Sequence, residues 1–321
     1  MRKWVPLFLF VFTLYSFGQS TAKHTPSVAD LLKAAAKGEV KAELMLGMAY
    51  EFGRGVAQDF SAAAHWYEKA AAAGEPHAQA LLGNLYAHGM GVAQDQPTAL
   101  KWYLRGAVDG DSTAQTNVGF MYFSGSGGLK RDYAEAARWF EKAAAQNNPL
   151  AEANLATLYS EGLGVPRDPD KAGELYLEAA KQGNSYAQVK LAWMYEHGVG
   201  RRLDFAESLK WNRTAAEHGN AVAFNNLGYM YEHGVGVPRD FSQATRFYCE
   251  AAGSKMPEAE HNWSVIRARI KGLPADCEQA AKWVAKNARQ SFGGASESIE
   301  AGSDSRATGG NAGAALLCAK R

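Results

Sequence analysis

The stretch AELMLGMAYEFGRGVAQDFSAAAHWYEKAAAAG, residues 42–74, decides the fold. Ala42, Leu46 and Tyr50, with Met45, recur three and four apart, the spacing of one apolar helical face. Gly53-Arg54-Gly55-Val56 breaks that pattern, and Asp59 opens a second helix whose apolar face holds Trp66, Tyr67, Ala70 and Ala71. Glycine adopts the left-handed conformation that ends a helix, while an N-cap Asp accepts from free backbone N–H groups. Gly74 closes the second helix in the same way. The stretch is one helix–loop–helix unit.

The unit repeats in both directions. Tyr50, Tyr86, Tyr122, Tyr159, Tyr195 and Tyr231 recur every 36 residues, with one step of 37. The glycines at 53, 89, 125, 162, 198 and 234 keep that step, as do those at 55, 91, 127, 164, 200 and 236. Asp59, Asp95, Asp132, Asp168, Asp204, Asp240 and Asp276 form a fourth ladder. Trp66, Trp102, Trp139, Leu175, Trp211, Phe247 and Trp283 form a fifth. Asp132 with Glu135, Asp204 with Glu207 and Asp240 with Gln243 have capping-box spacing. Gly47, Gly83, Gly119 and Gly228 interrupt the first helix, where glycine costs roughly 1 kcal/mol against Ala, so they predict close packing of a neighbouring helix. A single pair cannot bury both its apolar faces, so neighbours must stack. The expectation is an all-α protein, a right-handed α/α superhelical solenoid of 36-residue repeats.

Register counting divides the chain into an N-terminal linker and half-repeat at 23–41, six repeats over 42–258, and a degenerate capping repeat at 259–290. Ser264 and Arg267 hold the Gly and Tyr positions of that last unit. Residues 291–321, rich in Gly, Ser and Ala, read as a flexible tail. Residues 1–22 read as a signal peptide: Arg2 and Lys3, an uncharged apolar run from Trp4 to Phe17, then small residues at Gly18, Ser20 and Ala22. That predicts a periplasmic or secreted protein without an integral membrane segment after cleavage. Lys plus Arg number 34 against 33 Asp plus Glu, so charge gives no reason to expect a nucleic acid partner. Cys249, Cys277 and Cys318 are an odd number without framework spacing, and the fold is not expected to depend on them.

Leu46-Gly47, Tyr50, Gly53, Gly55-Val56, Asp59, Ala63, Trp66-Tyr67, Ala70-Ala71 and Gly74 closely resemble the Sel-one-like repeat (SLR) family, a branch of the tetratricopeptide-like solenoids. The resemblance covers residues 28–290. It implies an adaptor or scaffold whose first helices line a concave surface. Secreted members linked with cell-wall or β-lactam ligands carry a Cys pair in each repeat, which this sequence lacks.

Steps 3, 6 and 10 from the leading Ala of each repeat share one helical face outside the core stripe. On that face Asn84, Asn117, Phe120, Asn154, Lys190, Trp193, Asn226, Tyr229 and His233 are the expected ligand-binding residues. Asn both donates to and accepts from peptide amides, and aromatic side chains are enriched in interface hot spots. His88, His197 and His233 share a helix-end register that suits solvated side chains better than metal ligands. Neither a metal nor a cofactor is expected, and no catalytic signature is present. The expected function is non-enzymatic binding of a protein or peptide. The alternative is a cell-wall or polysaccharide-fragment binder with weak hydrolysis of that fragment. Asn212-Arg-Thr214 and Asn262-Trp-Ser264 match a glycosylation acceptor inside predicted helices.

Overall fold

A computed structural model describes residues 26–291, with side chains through Asn287. The expected signal segment and the tail beyond Ser291 lie outside them. The described residues form fifteen helices and no strand. After α1 (Val28–Ala35) come the pairs α2 (Val40–Phe52) and α3 (Phe60–Ala72), α4 (Pro76–His88) and α5 (Gln96–Val108), and α6 (Ser112–Ser124) and α7 (Tyr133–Ala144). Then follow α8 (Pro149–Glu161) and α9 (Pro169–Lys181), α10 (Ser185–His197) and α11 (Phe205–Glu217), and α12 (Ala221–His233) and α13 (Phe241–Ala252). The chain ends in α14 (Pro257–Arg269) and α15 (Cys277–Ser291). Each helix packs on the next in sequence through α14, as an α/α solenoid requires. First helices of successive repeats also touch, α4 with α6 and α12 with α14, whereas second helices from α3 to α13 have no comparable packing. At these two boundaries the first helices are the more closely packed layer, as on the concave side of a solenoid.

Local chemistry accounts for the pairs. Asp59 accepts from the Ser61 and Ala62 amides at 2.9 and 3.0 Å, and the other Asp ladder members cap their helices likewise. The capping box is only half made. The Asp backbone N–H donates not to Glu135 or Glu207 but to the ladder tyrosine carbonyl one loop back, as Asp59 does to Tyr50 at 2.9 Å. Glu135 is left to pair with Arg138, and Glu207 pairs with Lys210 at 2.9 Å. This carbonyl link ties the start of each second helix to the end of the first, and it explains why the tyrosine and Asp ladders run in step.

The core lies between the two helices of each unit and the first helix of the next. Ala42, Ala78, Ala114, Ala151, Ala187, Ala223 and Ala259 are at most 5% exposed. Tyr67, Ala70 and Ala71 are buried as expected, while Trp66 is only half-buried and carries the Lys69 ammonium 4.6 Å from its ring centroid. Met45 faces outward. The helical glycines receive an aromatic ring from their own repeat's second helix. A methyl at Gly83 would sit 2.6 Å from the Tyr103 ring, and Gly119 is covered in the same way by Phe140. The fourth repeat pairs Ala156 at this position with Tyr176 at the ring position, and the fifth has Ala192 with Asn212 in place of the ring.

The C-terminal unit departs from the pattern. Helix α14 ends at Ile270 in extended backbone instead of a left-handed glycine, and α15 packs chiefly on α13. Ile266, Ile270, Leu273, Ala280 and Val284 close one core with Ala244 and Tyr248. Cys249 and Cys277 are joined in a disulfide between α13 and α15, so the cysteines do enter the fold, contrary to the expectation from their number. The bridge takes over where the repeat consensus fails.

Candidate functional site

The nine expected ligand-binding residues all lie on first helices, in two groups. Asn84, Asn117 and Asn226 are engaged within the solenoid. Asn84 Oδ1 accepts from Tyr103 OH at 2.8 Å and from Asn117 Nδ2 at 3.0 Å, across a repeat boundary. Asn226 Nδ2 donates to Asn212 Oδ1 at 3.1 Å. Phe120 is half-buried and stacks with Phe123, ring centroids 6.4 Å apart. Asn154 is half-buried, without a side-chain hydrogen bond among the described residues.

Of the other four, Tyr229 and His233 are exposed, while Lys190 and Trp193 are half-buried and Trp193 packs against the core. Trp193 stacks on His197 with centroids 4.5 Å apart, and His197 Nδ1 lies 2.9 Å from the Trp193 carbonyl oxygen. The next repeat copies this arrangement: Tyr229 stacks on His233 at 4.2 Å, and His233 Nδ1 lies 3.0 Å from the Tyr229 carbonyl. In each pair the imidazole is fixed as a donor to the helix end, which holds the aromatic ring in one orientation. Tyr229 is 45% exposed despite that stacking. The Lys190 ammonium lies over the Tyr186 ring, 5.4 Å from its centroid. Glu196, beside His197, has its carboxyl held above the ordinary range by burial, with His197 drawing it back in part. In the next repeat the buried Tyr248 hydroxyl donates to Glu232 at 2.9 Å, and the register of that tyrosine is Asn212 here.

Three residues on the same face were missed from sequence. Leu150, Tyr186 and Val222, each one position before the leading Ala, are 51%, 45% and 40% exposed. They lie one helical turn from Asn154, Lys190 and Asn226 and so share their face. The signal was present in register: Lys41, His77 and Thr113 occupy this position in the first three repeats, and apolar residues occupy it in the next three. The fourth to sixth repeats therefore carry an amphipathic strip in which exposed apolar side chains alternate with Asn and Lys. Large exposed apolar groups gathered on one surface mark interaction sites more often than singly scattered ones.

The described residues hold no group of three or more metal-ligating side chains, and none of their helices is long and apolar enough to cross a membrane. Asn212 is fully buried and Asn262 Nδ2 donates to Asn225 Oδ1 at 2.8 Å, so both acceptor-like asparagines serve packing.

A family profile described as Sel1 repeat matches seven segments, residues 40–75, 76–111, 112–148, 149–184, 185–220, 221–254 and 257–292. Among solved structures, the chain is similar to a protective antigen with an SLR fold present in uropathogenic Escherichia coli strains, at 35% identity and a TM-score of 0.64. That match covers 82% of this chain and 56% of the antigen, so the chain spans little over half of that relative's length. A Sel1 repeat protein from Oxalobacter formigenes is 32% identical with a TM-score of 0.63, the match covering 71% of this chain and 100% of that one. No curated protein matches the chain.

Proposed function

Since the chain belongs to the Sel1 repeat family, whose members are in general protein-interaction scaffolds, we propose that it is an exported, non-catalytic adaptor that holds a protein or peptide along its concave face. The observation that carries this reading is the strip over the fourth to sixth repeats, where Tyr186, Trp193 and Tyr229 stand with Leu150, Val222 and Lys190 on adjoining first helices. An extended segment lying across these helices meets an aromatic or aliphatic contact at each repeat, with Asn154 and Lys190 between them for its backbone carbonyls. Export is supported by the apolar run from Trp4 to Phe17 and by the Cys249–Cys277 bridge, because disulfides persist in oxidising compartments. A glycan partner finds no support among the relatives.

The test is affinity capture from an envelope fraction, comparing the chain with a Trp193→Ala, Tyr229→Ala double variant of unchanged helicity. One buried aromatic anchor is worth about 2 kcal/mol or more, about thirtyfold in affinity, so the double variant should hold its partner less tightly by at least that one-anchor factor. Equal capture by both proteins would remove the concave strip from the account.

A further inference from the structure

The loop between α10 and α11 breaks the repeat pattern twice, in opposite senses. Val56, Val92, Val165 and Val237 follow the second loop glycine in their repeats, and Val92 and Val165 pack against the core. The fifth repeat has Arg201 there, with Nε and Nη2 buried and without a hydrogen-bond partner among the described residues. Its guanidinium lies over Gly173 of α9, where a methyl group would come within 2.9 Å of Nε. The other repeats have Ala64, Leu100, Ala137, Leu209 and Thr245 at the register of that glycine. Nε and Nη2 form the edge that grips a carboxylate with two parallel bonds.

The second break lies two residues on. The residue before the Asp cap normally closes the end of the first helix. Gln58 donates to the Glu51 carbonyl at 2.8 Å, Gln94 to Ala87 at 2.8 Å, Arg167 to Ser160 at 3.0 Å and Arg239 to Glu232 at 2.7 Å. The fifth repeat has Leu203 instead, 53% exposed, between exposed Arg202 and Phe205, itself 39% exposed. One loop thus places a cation where four siblings have a half-buried Val and an apolar side chain where the same four place a polar cap. Gly173 gives the guanidinium room but no acceptor, and a desolvated guanidinium without an acceptor is costly, while Leu203 gives up a helix-end hydrogen bond, so neither exchange adds a hydrogen bond to the fold. Local rules broken without compensation inside the molecule concentrate at functional sites.

We propose that residues 201–205 form a second docking surface, for a partner segment in which an Asp or Glu lies beside an aliphatic residue. The partner carboxylate takes the Arg201 fork as it turns outward, with Arg202 adding charge, and the aliphatic side chain covers Leu203 and Phe205. Arg201 and Arg202 are adjacent cations, and the acid within 201–205, Asp204, is turned to the Ala206 and Glu207 amides as the α11 cap, so the surface selects an acidic segment over a basic one.

The test is an NMR titration that follows the Arg201 Nε–H signal with two probes, acetyl-Leu-Glu-Leu-Glu-amide and acetyl-Leu-Lys-Leu-Lys-amide. The expected result is a saturable shift with the acidic peptide alone, weakened by added salt. Arg201→Val with Leu203→Gln restores the register, so this variant should melt no lower than the parent and bind the acidic peptide at least about tenfold more weakly. The proposal fails if neither peptide gives a saturable shift, if the variant binds equally well, or if Arg201→Val alone lowers the melting temperature, which would mean that Arg201 already serves the fold.

Discussion

Glu152→Gln should stabilise the folded chain by about 2–3 kcal/mol at pH 8 and leave it nearly unchanged near pH 4.5. In the second, third and fifth repeats a Gln follows the leading Ala and bridges back to the preceding second helix. Gln79 donates to the Ala71 carbonyl at 3.2 Å, Gln115 to Ala107 at 3.2 Å and Gln188 to Ala180 at 3.0 Å. Glu152 holds that place in the fourth repeat, is 4% exposed, and accepts from Gln182 Nε2 at 2.8 Å. An ionised carboxylate has nothing to donate to a carbonyl. Burial, and after it the charge of Glu178, pushes the Glu152 carboxyl up to about 7 from its ordinary 4.5. A raised carboxyl binds its proton more tightly in the folded chain, so stability is lost as pH climbs from 4.5 through about 7. Gln removes that loss and can make the register's hydrogen bond. Urea denaturation of both proteins at the two pH values measures the difference. A gain of equal size at both would mean that the titration of Glu152 is not its source.

The second large effect concerns the C-terminal cap. Removing the bridge with Cys249→Ser and Cys277→Ser should loosen α14 and α15 by about 3–4 kcal/mol, from the chain entropy of closing a loop with a sequence separation of 28 residues. The central repeats should hold, because each unit of a solenoid is stabilised by its own neighbours. Amide hydrogen exchange resolves the two regions: faster exchange confined to 257–287 is the expected pattern. Acceleration spread evenly along the chain would show that the bridge supports the whole array.

The architecture was legible because each of its signals is local. Asp59 needs only the amides two and three residues ahead, and the loop glycines at 53 and 55 need only their own backbone angles, φ 64° and 76°. What escaped depends on contacts between repeats. The Asp59 amide turns to Tyr50 rather than to a capping-box partner because the folded loop brings that carbonyl within 2.9 Å. Asn84 and Asn117 sit at different steps of their own repeats, and only stacking shows that step 6 of one lies beside step 3 of the next. Helical spacing alone therefore treated these asparagines as free for a ligand. The reverse error hid Tyr186: a residue one place before the buried Ala187 reads as part of the helix start, and its 45% exposure follows from how the fourth and fifth repeats meet. Likewise, no spacing rule pairs Cys249 with Cys277, because α15 leaves the regular packing to reach α13.

The central claim is that a partner lies across the concave layer of first helices in the fourth to sixth repeats. The most direct measurement is hydrogen exchange of the chain with and without its captured partner. Added protection in α8, α10 and α12, with α3, α5 and α7 unchanged, is the predicted footprint. Protection centred on the outer second helices, or none in α10 and α12, would contradict it.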